Sequence, residues 1–478
     1  MWLSLMGWTF MAQRKSQYGI KMITEFKKIV GAENVLTEKE DILPYAYDGT
    51  SVLWQMPRAV VFPQNSEQVA AVLKYANEKR IPIVPRGNGS GLSGGSLPLE
   101  SGDAIVVCLT QMDHLLELDT QNLTMLVEAG MRTQTLFELV DNAGLFYPPD
   151  PGSMKISTIG GNIAENSGGL RGLKYGVTRN YVMGLEVVLP NGEIVWMGNK
   201  CVKDVAGFNL KDLFIGSEGL LGIITKALLR LVPPPKSRKT MLAIFEKMED
   251  AAKTVSDIIA AHIIPCTLEF LDKTTIACVE SYSHIGLPLD CEAVLLMETD
   301  GHASVVDEEA DRMCEIANSN GCRNVRIAAD DAEAKQLAEG RRVSLSALAK
   351  VSPTTILEDV TVPRSKLVNM VKAVQEIAQK QDLKVGIFGH FGDGNLHPTF
   401  LIDEKNEDEM KRVELAFDDI FKVALQLGGS VTGEHGVGLS KKKVLPQALG
   451  EQSIQLMRFM KKALDPNGIL NPGKMFDL

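Results

Sequence analysis

The sequence predicts an α+β protein, and three features carry that prediction. From Arg58 to Leu231, short β-rich runs alternate with amphipathic helices. Pro233-Pro234-Pro235-Lys236-Ser237 then breaks both helix and sheet and marks a domain boundary. Beyond it a β-α-β pattern recurs, which fits a second sheet of its own.

Taken in order, a helical stretch from Ile23 to Val30 falls within an N-terminal segment, 1–57. In the first domain, 58–232, Ala59-Val60-Val61-Phe62 reads as a strand, and Ser66 as the cap of a helix running through Glu78 with Val69, Val72 and Leu73 on its apolar face. Ile81-Pro82-Ile83-Val84 is the next strand; Ala104 to Cys108 and Met125 to Glu128 follow, then a helix near Gln134 to Ala143. Leu185 to Trp196 reads as a hairpin because Asn191-Gly192 suits a tight two-residue turn. In the second domain, 236–428, Leu242 to Phe245, Met248 to Ala261 and Thr267 to Phe270 form one unit. Ala293 to Glu298, Ser304 to Ser319 and Arg323 to Arg326 form another, and Thr355 to Val362, Lys366 to Gln379 and Leu383 to Phe388 a third. Such units predict an antiparallel sheet backed by helices, as in ferredoxin-like caps. A long helix from Glu407 to Leu427 leads into a glycine-rich loop and a terminal helix, and 429–478 is expected to pack back on the first domain.

At 478 residues the chain exceeds what one hydrophobic core organises, and there is volume for a buried cofactor. It contains no apolar run of transmembrane length. A net charge of −10 without a Lys/Arg-rich cluster excludes the nucleic-acid binders. The seven cysteines are scattered and include no C-x-x-C pair, so neither a disulfide framework nor a thiolate metal site is indicated, and a reducing, cytoplasmic setting is expected. The apolar start, Met1 to Ala12, lacks the basic region of a signal peptide and is too short to span a bilayer; it reads as an extension or a small contact patch.

Three glycine-rich segments carry the first chemistry. Pro85-Arg86-Gly87-Asn88-Gly89-Ser90-Gly91-Leu92-Ser93-Gly94-Gly95 follows a strand and can turn successive N–H groups toward one anion, a pyrophosphate cradle. It is not a Rossmann fingerprint, because Ser96-Leu97-Pro98-Leu99 starts no helix, and no Gly-Lys-Ser/Thr closes it as a Walker A loop. The second loop, Pro148 to Ser153, leads into Ser157-Thr158-Ile159-Gly160-Gly161-Asn162-Ile163-Ala164-Glu165-Asn166-Ser167-Gly168-Gly169, where backbone can approach a large flat ligand. Gly216 to Ile224 has the same character.

Together these segments resemble the FAD-binding domain of the vanillyl-alcohol oxidase and p-cresol methylhydroxylase (PCMH) superfamily. By that resemblance the flavin contacts fall on Pro85, Arg86, Gly87, Asn88, Gly89, Ser90, Gly91 and Ser93, on Pro149, Asp150 and Ser153, and on Gly160, Gly161, Asn162, Ala164, Asn166, Gly168, Gly169 and Tyr175. Gly219, Gly222, Ile223, Ile224 and Asn471 complete them. Members that attach FAD covalently often carry a histidine near the end of the first loop; Ser90 stands there, which implies non-covalent FAD.

Three of the seven histidines lie in two short polar loops near the C-terminus, Gly389-His390-Phe391-Gly392-Asp393-Gly394-Asn395-Leu396-His397-Pro398 and Thr432-Gly433-Glu434-His435-Gly436-Val437-Gly438. Two imidazoles seven residues apart across a glycine-rich turn can converge on one divalent ion, to which Glu434-His435 can add a carboxylate and an imidazole. Zn²⁺ fits that set, and Fe²⁺ or Mn²⁺ is compatible with it. Open coordination positions would suit a substrate that chelates through hydroxyl and carboxylate.

This C-terminal pattern resembles the flavin-dependent 2-hydroxy-acid dehydrogenases: the catalytic subunit of glycolate oxidase, D-lactate dehydrogenase and D-2-hydroxyglutarate dehydrogenase. The resemblance runs from about Glu25 to Phe476 and implies His390, His397 and Glu434 as metal ligands, Asn395 as a substrate contact and His435 as the base. Arg341, in Glu339-Gly340-Arg341-Arg342, matches the arginine that binds the substrate carboxylate, with Arg342 one position away as the alternative. The expected reaction is oxidation of a small 2-hydroxy acid, D-lactate first and glycolate or 2-hydroxyglutarate next: His435 takes the hydroxyl proton as hydride passes to flavin N5. With no second redox centre encoded, an external acceptor is expected, first a two-subunit electron-transferring flavoprotein; quinone, cytochrome or a companion iron–sulfur subunit are the other acceptors, and a homodimer is compatible. The rival readings are a flavin-binding subunit without catalysis, against which the complete cluster stands, and an alcohol oxidase, which would not need the arginine.

Overall fold

The computed structural model describes residues 19–99 and 102–478; the apolar start of the chain lies outside the described residues. Three sheets organise them. In the first, Ala59–Val61, Ile105–Cys108 and Ile83–Arg86 lie parallel, with Val35–Leu36 antiparallel at the edge. Ala59–Val61 and Ile105–Cys108 are continuous apolar, fully buried runs because both faces of the sheet are covered. The helix Ser66–Lys79 connects two strands of this sheet. Its cap is Asn65 rather than Ser66: Asn65 is extended and its side chain accepts from the Gln68 N–H at 2.9 Å, whereas the Ser66 hydroxyl donates to Glu186.

The second sheet has five antiparallel strands in the order Leu115–Asp119, Thr124–Glu128, Ile223–Arg230, Val182–Val188, Ile194–Gly198. The Asn191-Gly192 turn joins the last two as expected. Leu115–Asp119 escaped the sequence reading because it is a largely exposed edge strand without apolar alternation. One apolar cluster fills the space between these two sheets, and Ile469 and Leu470 from the end of the chain belong to it. The Ile83 N–H donates to Ile469 O at 2.8 Å and the Asn471 N–H to Ile83 O at 2.7 Å, so the terminal segment runs alongside the strand that feeds the first glycine loop.

The third sheet is antiparallel and has eight strands, centred on Ser237–Phe245, Ala293–Gly301, Thr267–Asp272, Lys384–His390 and Asn395–Ile402. Alternate residues of one strand serve two cores. Met241, Ala243 and Phe245 pack with helices Met248–Ala260, Ala303–Ser319, Leu367–Lys380 and Glu407–Gln426; Leu242 and Ile244 pack with Lys273–Ser283, Asp331–Arg342 and Ser344–Leu348. The last three helices were absent from the sequence reading, and they explain why the central strands are apolar on both faces. Among the described residues no helix is long and apolar enough to cross a membrane, and all seven cysteines are free.

Candidate active site

A cavity of about 700 Å³ opens between the first two sheets and the third. Strand Ile83–Arg86 delivers the first glycine loop to its wall. The second segment is not a loop: Ile159–Glu165 is a helix, capped by Thr158, whose side chain accepts from the Gly161 N–H at 3.3 Å. Glycine is required where these pieces meet. A Cβ on Gly87 would lie 2.2 Å from Thr158 Oγ1, and one on Gly160 would lie 2.7 Å from Ala129 Cβ.

Of the residues expected to touch the flavin, 85–91, Ser153, Gly160, Gly161, Asn162, Ala164, Gly219, Gly222, Ile223 and Ile224 line the cavity. The others stand behind it. Asn471 donates from its side chain to Gly95 O and Glu218 O, bracing the wall. Asp150 is buried between Arg342, at 2.7 Å, and Arg171; Tyr175 turns its hydroxyl to Asp300. Asn166 caps its helix in the left-handed region and accepts from the Arg179 N–H, while Ser93 and Pro149 are buried. Gly169 abuts the Asp150 backbone, and Gly168 leaves room for Glu434, whose Oε2 would stand 2.9 Å from a Cβ there.

His390 and His397 sit on a β-hairpin, not in a polar loop, whereas Glu434 and His435 are in a loop as expected. His390 ends strand Lys384–His390 and His397 lies within Asn395–Ile402; Phe388 pairs with His397, which places both imidazoles on one face. Their rings meet edge to face at 5.3 Å, and His397 stacks on His435 at 5.0 Å. Glu434 Oε1 lies 3.0 Å from His390 Nε2 and 3.3 Å from His397 Nε2. One donor atom from each of His390, His397 and Glu434 falls within 4.8 Å of the others, close enough for all three to hold a single ion. Glu269 accepts the remaining His390 nitrogen, Nδ1, at 2.7 Å, the carboxylate–histidine support common behind metal ligands. His390, His397, Glu434 and His435 all line the cavity.

Arg341, buried at the end of its helix, faces the same space with its guanidinium over the Phe388 ring. Its Nε is 2.6 Å from Glu269 Oε2, and its Nη2 is buried without a hydrogen-bond partner. A carboxylate entering the cavity would satisfy that group. Arg342 also lines the cavity but is committed to Asp150, which favours Arg341 of the two. Asn395 is buried beside the cluster, accepting from Thr361 Oγ1, and does not line the cavity.

Two buried carboxylates that the sequence reading did not single out hold the loop bearing Glu434 and His435. Asp359 accepts from the Gly433 N–H at 2.5 Å and the Glu434 N–H at 2.8 Å. Glu218, from the other side of the cavity, accepts from the Val437 and Gly438 N–H groups at 2.7 Å. The available signal was an acidic residue set among apolar neighbours, as with Glu269 between Leu268 and Phe270 and Glu358-Asp359 between Leu357 and Val360; Glu218, beside Gly219 in a glycine-rich turn, carried none.

Burial and neighbours set the charges. Burial pushes Asp359 up, but Lys441 and then His435 pull it well below the usual carboxylate range, so it is ionised. Burial pushes the His397 imidazole down to about 3 and lowers His435, which Asp359 partly offsets. His390 moves the other way: burial opposes its charge, yet Glu269 and Glu434 hold it well above its ordinary value. A cation among these groups would replace that proton.

Comparison with known proteins bears on both halves. The sequence model described as "FAD binding domain" matches residues 57–198, and that of "FAD linked oxidases, C-terminal domain" matches 234–475. The chain is 52% identical over 449 residues to the glycolate oxidase subunit GlcD of Bacillus subtilis, covering 94% of this chain and 95% of that one. It is 35% identical over 466 residues to a D-lactate dehydrogenase of Anaerostipes hadrus, covering 95% and 97%. Among solved structures, p-cresol methylhydroxylase with substrate bound superposes with a TM-score of 0.77 at 19% identity, over 96% of both chains, and shares the fold.

Proposed function

The chain belongs to the FAD linked oxidase family, the family of GlcD and D-lactate dehydrogenase, and from that premise we propose that it is a metal-dependent dehydrogenase of small 2-hydroxy monocarboxylic acids. The observation that carries the reading is that one cavity is lined at once by the glycine-built flavin wall, by His390, His397 and Glu434, and by Arg341.

His390, His397 and Glu434 would hold a divalent cation, Zn²⁺, Fe²⁺ or Mn²⁺, which would lower the pKa of a coordinated hydroxyl. FAD, bound non-covalently, supplies the hydride acceptor. Arg341 receives the substrate carboxylate on its unpartnered Nη2 and fixes the acid's orientation. His435, neutral at pH 7 and held by the Asp359-anchored loop, takes the hydroxyl proton.

Of the other cations in the lining, Arg342 is held by buried Asp150, Lys155 pairs with Glu339 at the surface, and Arg86 donates to Ser96 at the first glycine loop. With Leu345 and Leu357 also in the wall, the cavity suits one carboxylate and a small or apolar side chain, which favours glycolate and D-lactate over 2-hydroxyglutarate. Electrons would leave to an external acceptor, first an electron-transferring flavoprotein, from a cytoplasmic enzyme. A dye-linked assay across glycolate, both lactate enantiomers and 2-hydroxyglutarate tests the substrate class. Turnover of glycolate or D-lactate is expected, and preference for the dicarboxylate would overturn the assignment.

A further inference from the structure

Glu165 is a carboxyl group without a visible counter-ion on the flavin wall. It ends the helix Ile159–Glu165 and lines the cavity, and its Oε2 is enclosed with no hydrogen-bond partner. A Cβ placed on Gly436 would lie 2.2 Å from Glu165 Oε2 and 2.9 Å from Glu218 Oε1; one on Gly95 would lie 3.4 Å from Glu165 Oε1 and 3.8 Å from Glu218 Oε2. The two carboxyl groups therefore face each other across these glycines.

Their surroundings are unequal. Glu218 has an N–H on each oxygen, from Val437 and Gly438, so the negative charge is best placed there. Glu165 has no such donors, and its other charged neighbours do not rescue it: Asp48 and Asp359 are acidic, and Lys441 is spent on Glu358 and Asp359. Burial first, then Glu218, push the Glu165 carboxyl well above the usual range. Two such groups hold one proton between them. A flavin that accepts hydride from a substrate at the histidines must bring its ring to this end of the cavity, since Gly436 directly follows His435.

We propose that Glu165 is a neutral carboxylic acid that donates its proton in a hydrogen bond to an acceptor atom of the bound flavin ring. The inference rests on the proposed reading that substrate is oxidised at the histidines by bound FAD, and not on which acid the substrate is.

The test compares wild-type holoprotein with Glu165→Gln and Glu165→Ala, reading FAD affinity, flavin midpoint potential and the infrared spectrum. The wild-type-minus-Gln infrared difference spectrum at pH 7 should contain a buried carboxylic-acid carbonyl band, the subtraction removing other protonated carboxyl groups such as Asp393. Gln, which also donates, should keep FAD affinity within about twofold. Ala should weaken it about five- to tenfold, the value of one lost hydrogen bond, and move the potential to more negative values because the electron-rich ring loses a donor. Wild-type affinity should decline as alkaline pH ionises Glu165, and Gln affinity should not. Absence of the acid band from that difference spectrum, or an Ala variant whose affinity and potential are unchanged, would overturn the proposal. The infrared difference uses the Gln variant, so it stands even if Ala fails to fold.

Discussion

The glycine wall of the cavity keeps its shape through backbone approach, with Gly87 against Thr158 and Gly160 against Ala129. The histidine wall keeps its shape through side-chain charge: Glu269 holds His390 and Arg341, and Asp359 and Glu218 hold the loop of Glu434 and His435 from opposite sides. Sterics decide the first and protonation the second. The first should therefore fail all at once on substitution and stay insensitive to pH through the acid and neutral range, while the second should fail by degrees and titrate there.

The largest effect should come from crowding the backbone wall. Gly160→Val places a branched side chain against Ala129, and overpacking of this kind costs about 1–3 kcal/mol. Protein that folds should be purified without flavin, seen as loss of visible absorbance per chain. Retention of stoichiometric FAD would show that the wall yields.

His435→Ala removes the ring stacked on His397 but leaves His390, His397, Glu434 and the backbone N–H bond to Asp359 in place. Turnover should drop about 10²- to 10⁴-fold, the usual contribution of a general base, while flavin content and bound metal stay at wild-type levels. Near-normal turnover would remove His435 from that role.

Glu269→Gln should act through His390. Loss of the carboxylate behind a metal-ligating histidine lowers affinity about 10- to 100-fold, measurable by competition with a chelator, with FAD binding unaltered. An equal loss of flavin would mean that Glu269 supports the whole cavity.

The smallest effect is in the pH profile. Burial lowers His435 below its ordinary 6.5, so the imidazole is neutral and competent at pH 7. The acid limb of kcat/KM should lie below pH 6.5, whereas FAD affinity should be flat across that limb. A limb centred well above the ordinary histidine value would contradict the assignment.

The two walls also differed in what the sequence disclosed. Short β-rich runs, the prolines at 233–235 and the Asn191-Gly192 turn were enough for the α+β class and the hairpin, because local periodicity and turn chemistry determine them. The glycine segments were found by composition, but the helix Ile159–Glu165 was not, since Gly160-Gly161 masks a helix that Thr158 caps and tertiary packing holds. His390 and His397 were found by spacing, yet placed in a loop, because the strand character of Asn395–Ile402 is set by pairing with Lys384–His390 and Thr354–Leu357. Glu269, Asp359 and Glu218 went unnoticed for a different reason. Their partners lie 72 to 220 residues away, from Arg341 for Glu269 to Gly438 for Glu218, a distance at which a single sequence gives no pairing information.

The central claim is that the two walls make one active site. Anaerobic titration of the FAD-loaded protein with glycolate and D-lactate, following bleaching of the flavin before and after chelation, tests it most directly. Stoichiometric bleaching by one or both acids, lost with the metal and restored by adding Zn²⁺, Fe²⁺ or Mn²⁺ back, is the predicted result; undiminished bleaching in protein shown by elemental analysis to be metal-free would contradict it.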